Sequence, residues 1–241
     1  MKIFIAENNE EFDAIGAKIV ADEIKSKANA TIGFATGSTP IGLYKKLVAM
    51  YDNGELSFKD ITTFNLDEYV GLQKTHDQSY YYFMQDNLFG KVDVDQSKVN
   101  FLSGTASDIQ QECERYDKLL NENPIDLQIL GIGANGHIGF NEPNTPFNAT
   151  TREVLLTEKT IQDNARFFDS IKDVPQSAVT MGMTEIMNAK KIILLANGAN
   201  KADAVYKMLK EEVSVKCPAS VLQLHNDVTI VLDKASASKL N

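Results

Sequence analysis

Short apolar runs alternate with longer amphipathic stretches along most of the chain. KIFIA reads as a first strand, and NNEEFDAIGAKIVADEIKSK after it as a helix with Phe12, Ile15, Ile19 and Ile24 roughly on one face. TIGFA is a short buried strand, and TGSTP turns into a helix carrying Leu43, Leu47 and Met50. ITTFNL gives a third strand, followed by DEYVGL and an aromatic helix near residues 78 to 89. DIQQECERYDKLL is amphipathic, and IDLQILGIG returns as a strand. KKIILLA, a helix from about residue 200 and DVTIVLD complete the series.

Strands alternating with helices of this length imply βαβ units, a mostly parallel sheet and a three-layer α/β sandwich of the doubly wound kind. No internal repeat, low-complexity tract or linker breaks the pattern, so one domain over residues 1–241 is expected. The longest loop-like stretch is 143–151, and a lid is expected around 143–176. In open parallel sheets, ligands bind beyond the carboxyl ends of the strands. TGSTP, NLDEY, GIGANGH and NGANK all fall at such ends and should gather along one edge.

Composition narrows the classes. Hydrophobic residues make up 43% and charged residues 24% of the 241, ordinary values for a globular protein. The 24 basic against 33 acidic residues leave a net charge of −9, which disfavours nucleic acid and anionic membrane as partners. No apolar run approaches the ~18 residues of a membrane helix. MKIFIAENNEEF lacks the apolar core and cleavage site of a signal peptide, and Cys113 and Cys217 do not make a disulfide framework. A cytoplasmic location is expected.

GIGANG, residues 131–136, matches the G-x-G-x-x-G spacing of dinucleotide-binding loops, a fingerprint that counts only when a helix follows. Here HIGFNEPNTPFNATT follows, and its prolines and asparagines favour turns. A dinucleotide is therefore not expected. Gly37 and Gly42 match the spacing of a Walker loop, but Leu43 and Tyr44 occupy the Lys and Ser/Thr positions. Two readings remain for Gly37, Ser38 and Thr39. They form a phosphate-binding turn at a helix start, or Ser38 or Thr39 merely caps that helix.

Asp67 follows a buried strand, where partial desolvation would raise its pKa toward that of a useful base, whereas Glu68 is expected to face solvent. His137 sits on a glycine-flanked loop with Asn135 and Glu142 near it in sequence. Histidine can donate and accept a proton in one cycle, and Glu142 could fix its tautomer. No HExxH or second nearby histidine suggests a metal. Arg166 and Lys201 could hold an anion, Lys201 near a helix start.

Taken together, TGSTP, FNLDEYVGL, SYYYFM, GIGANGHIGFNEP, NARFFD and LQLH resemble the glucosamine-6-phosphate deaminases, in order from about residue 30 to 232. The resemblance implies reversible conversion of glucosamine 6-phosphate and water to fructose 6-phosphate and ammonia, with no cofactor or metal. It also implies a modified doubly wound sandwich shared with ribose-5-phosphate isomerase and 6-phosphogluconolactonase. By resemblance Asp67 is the base moving a proton between C2 and C1, and His137 opens the sugar ring with Glu142 orienting it. TGST, Arg166 and Lys201 form the phosphate pocket.

Asn135 departs from members with Asp there, and it cannot supply a second negative charge. Members activated by N-acetylglucosamine 6-phosphate are hexamers with cationic residues after FNEP. Arg152 corresponds in place to one, but Val154 replaces a second, so weak or absent activation is expected, with a monomer favoured. A 6-phosphogluconolactonase is the rival of the same fold, but IGFNEP and DEY depart from its pattern. A non-catalytic sugar-phosphate sensor would have no need of Asp67, His137 and Glu142.

Overall fold

The alternation of strand and helix builds a parallel sheet. The computed structural model describes residues 1–165, 168 and 170–240. Its first half runs β1 (Lys2–Ala6), α1 (Asn9–Ser26), β2 (Thr31–Phe34), α2 (Ile41–Asp52), β3 (Thr62–Asn65), β4 (Asp67–Tyr69), α3 (Tyr80–Met84), β5 (Val99–Asn100) and α4 (Ile109–Glu122). The second half runs β6 (Leu127–Gly131), β7 (Arg152–Leu155), α5 (Glu158–Asn164), β8 (Ser177–Thr180), α6 (Met183–Met187), β9 (Lys191–Ala196), α7 (Ala202–Lys210) and β10 (Val228–Asp233).

Seven strands form one sheet in the order β1-β10-β9-β6-β2-β3-β5, with every neighbouring pair parallel. β2 is buried along its whole length, and β6 and β9 along all but one residue each. Near-continuous apolar strands of this kind belong to sheets covered on both faces. The order reverses between β2 and β6: the chain steps outward to β3 from one and to β9 from the other. Such a switch point opens a crevice at the carboxyl ends of the strands.

The helices follow their amphipathic stripes with one difference. In α1, capped by Asn8 accepting the Glu11 N–H at 2.9 Å, the buried face is Phe12, Gly16, Ala17, Val20, Ala21 and Ile24. Ile15 and Ile19 are only partly buried. Close packing against α2 explains this, since a Cβ at Gly16 would lie 2.7 Å from Leu43 Cδ1. Small residues make the contact, and the isoleucines flank it. The aromatic helix is α3, which runs on as a π-helical turn over Gln85–Phe89.

A second sheet was not legible in the sequence. It is three-stranded, in the order β4-β8-β7, and antiparallel. Leu66 is the junction: the chain leaves the parallel sheet at Asn65 and enters β4 at Asp67, while Met181 N–H donates to Leu66 O at 2.6 Å. Asp67 thus lies where two sheets meet, opposite Thr180.

Candidate active site

A cavity of about 530 Å³ lies over the carboxyl ends of β2, β3 and β6. Gly37, Ser38, Thr39, Asp67, His137 and Lys201 all line it. Asn135 and Glu142 stand behind His137 and do not reach the wall. Arg166 lies outside the described residues.

Asp67 is buried, with 7% of its surface exposed. Desolvation and then the neighbouring Glu68 charge push its carboxyl pKa up to about 8. Beneath it, the buried Tyr116 hydroxyl donates to Asn65 O at 2.7 Å and accepts from Asn65 N–H at 3.0 Å, which fixes the end of β3. Gly139 passes close above: a Cβ there would sit 3.6 Å from Asp67 Oδ2. Glu68 corrects the expectation from sequence. It does not face solvent but is 2% exposed, accepting the backbone N–H groups of Tyr69, Tyr80 and Tyr81.

Of the glycines in the 131–136 loop, Gly133 serves His137, whereas Gly136 lies against Cys217. The imidazole lies flat against Gly133, where a Cβ would stand 2.3 Å from His137 Cε1, and Gly133 N–H donates to His137 O at 2.8 Å. No helix follows this loop between 132 and 151; turns and a single bridge between Ile138 and Asn141 take its place. Behind the ring, Glu142 Oε1 is 3.2 Å from His137 Nδ1, a contact that becomes an ion pair when the ring is protonated. Asn135 closes the triangle, its Nδ2 donating to Glu142 Oε2 at 2.7 Å and its Oδ1 accepting His137 N–H at 3.2 Å. Burial pushes Glu142 upward, but His137 and then Asn135 outweigh it and hold the carboxyl below its ordinary pKa. The site therefore pairs a carboxyl that favours its proton with a carboxylate that sheds one.

At the other end of the cavity, Gly37 has φ +96°, the left-handed turn that lets residues 36–39 curl before α2. Pro40 is the N-cap of α2 and no side chain caps it, so Ser38 and Thr39 are not helix caps. Thr39 Oγ1 instead donates to Asn197 Oδ1 at 3.2 Å, tying this loop to the one after β9 that carries Lys201. Burial lowers the Lys201 pKa from its ordinary value. An uncapped helix N-terminus and a half-buried ammonium both attract negative charge. Asn197 went unnoticed in the sequence; its only signal was its place in NGANK.

The wall between the two ends is aromatic. Tyr69 and Tyr80 rings lie 4.7 Å apart, and Phe140 stacks on Tyr80 at 6.3 Å. Among the described residues no group of three or more His, Cys, Asp or Glu is placed to hold a metal ion.

A buried carboxyl and an imidazole thus face one cavity, together with a half-buried ammonium and the uncapped start of α2. The family model for glucosamine-6-phosphate isomerases and 6-phosphogluconolactonases matches residues 9–231. The chain belongs to this family. Within the isomerase/lactonase family, it is 54% identical over 241 residues to a glucosamine-6-phosphate deaminase of Clostridium novyi, covering 100% of both chains. It is 51% identical to one of Mycoplasma mycoides, covering 100% of this chain and 98% of that one. A solved monomeric glucosamine-6-phosphate deaminase superposes with TM-score 0.96 at 46% identity over 99% of each chain. A 6-phosphogluconolactonase of Thermotoga maritima shares the fold, with TM-score 0.76 at 18% identity over 96% of this chain and 98% of that one.

Proposed function

We propose that the chain is a glucosamine-6-phosphate deaminase, converting glucosamine 6-phosphate and water reversibly to fructose 6-phosphate and ammonia. One observation carries the reading: Asp67 and His137 open into the same cavity as residues 37–39 and Lys201. The phosphate sits against the 37–39 turn and Lys201, with Arg166 as a further cationic partner. His137, oriented by Glu142 and Asn135, moves the proton that opens the pyranose ring. Asp67 then takes the C2 proton and returns it to C1. The resulting C2 iminium adds water and releases ammonia, so the atoms balance without a redox partner.

Burial leaves Asp67 holding its proton, and a positively charged amino group brought beside it would favour the ionised form. The base is thus prepared by the substrate it acts on. Residues 143–176 act as the lid, a role supported by Thr160 and Phe168 in the cavity wall. The working unit is a monomer in the cytoplasm. The free, buried Cys113 and Cys217 and the likeness to a monomeric deaminase support that placement.

A coupled assay for ammonia and fructose 6-phosphate tests the reaction. Stoichiometric release of both from glucosamine 6-phosphate is expected. Hydrolysis of 6-phosphogluconolactone without ammonia release from the amino sugar would overturn the reading.

A further inference from the structure

Glu68 adjoins the proposed base yet performs none of the steps above, and it is buried. Oε1 accepts the N–H groups of Tyr69 and Tyr80 and Oε2 that of Tyr81, each at 2.9 Å. Tyr80 and Tyr81 open α3, and Ser79 Oγ accepts the next N–H, that of Tyr82, at 3.0 Å. A carboxylate from β4 therefore supplies the start of a helix from which Tyr80 and Phe83 reach the cavity wall. Such bonds to a charged acceptor fix both partners more firmly than neutral ones do.

The same geometry sets a charge beside Asp67. Burial raises the Glu68 pKa, while the N–H groups of Tyr80, Tyr81 and Tyr69 that its two oxygens accept work the other way and favour the ionised carboxylate. Two adjacent carboxylates out of water cannot readily both ionise. The other titratable groups around the pair are Tyr69 and Tyr80 beside it, Tyr116 below, Lys74 on the approach to α3, and His137, Asp77 and Lys201 around the cavity. A hexose phosphate with an uncharged hydroxyl at C2 leaves the second charge uncompensated, whereas an ammonium at C2 compensates it.

We infer that Glu68 is a positioning residue that holds the Tyr80 wall against the hexose and, through its fixed negative charge, makes Asp67 selective for a sugar bearing a cationic amino group. This rests on the deaminase reading. It assigns to a residue outside the proton-transfer steps the preference for an amino sugar over its hydroxyl counterpart.

The test is the pH profile of kcat/KM for Glu68→Gln with glucosamine 6-phosphate, together with inhibition by glucose 6-phosphate. Loss of the neighbouring charge should move the acidic limb down by about one pH unit. It should also reduce the preference for glucosamine 6-phosphate over glucose 6-phosphate, read as Ki/KM, by about tenfold. A folded Glu68→Gln with both quantities unchanged overturns the inference. If that variant does not fold, the exposed Lys74 gives the opposite reading. Lys74→Gln unmasks the Glu68 charge and should move the limb up, and an unmoved or lowered limb overturns the inference. Absence of ammonia release by the parent protein would instead remove the deaminase reading itself, so the two failures are distinguishable.

Discussion

The amide of Asn135 donates to Glu142 Oε2 at 2.7 Å, and this bond turns the other carboxylate oxygen toward His137. Asn thus performs the orienting task without adding a charge. Its carbonyl oxygen meanwhile holds the backbone N–H of His137. Asn135→Leu keeps the volume and removes both bonds. A hydrogen bond to a charged group is worth about 1.5–3 kcal/mol, so kcat should fall about ten- to hundredfold with little change in KM. Steady-state kinetics on the purified variant would settle it, an unchanged kcat counting against the orienting role.

Gly133 is required by the ring that lies on it and not by its own backbone, whose φ is not positive. Gly133→Ala should therefore fold but displace the imidazole, and turnover should fall at least about tenfold. His137→Gln should lower turnover by about 10²–10⁴, the scale of a lost general acid or base. Equal activity of Gly133→Ala and the parent would show that the ring does not work from its observed place.

Asp67→Asn should also lower kcat by about 10²–10⁴. It should raise stability at the same time. A carboxyl whose folded pKa is raised from 3.8 to about 8 contributes stability in full below its unfolded pKa. That contribution is lost as pH rises through about 8, because the buried group must then carry its charge. Thermal melts of parent and variant should differ least near pH 4 and most near about pH 9, with the variant the more stable. A gap that narrows with rising pH would contradict the buried, proton-holding state of Asp67.

Lys201→Ala should raise KM about tenfold or more while kcat changes less, since a phosphate contact persists through ground and transition states. Thr39→Val, which breaks the bond to Asn197, should act in the same direction and more weakly. Initial rates over a range of glucosamine 6-phosphate concentrations separate the two constants. If kcat drops while KM holds, the anion-binding end has been misplaced.

Runs such as IILLA and LQIL, mostly apolar and standing between amphipathic helices, already called for a parallel sheet covered on both faces. They also set which loops meet, since strand ends in such a sheet point the same way. Asp67, His137, Lys201 and the 37–39 turn were all legible on those grounds. What surrounds them came from contacts between segments far apart in the chain. β7 and β8 are short and carry no distinct period, so the antiparallel sheet that buries Asp67 emerges only when residues far apart in sequence pair. Glu68 reads as a surface carboxylate because nothing local shows that the N–H groups of Tyr80 and Tyr81 will come to it. Glycine spacing is a local fact, but whether it receives a pyrophosphate or an imidazole depends on what folds against it. Here Gly133 receives His137. Burial and partnership are long-range properties, and they set the charge states on which the chemistry depends.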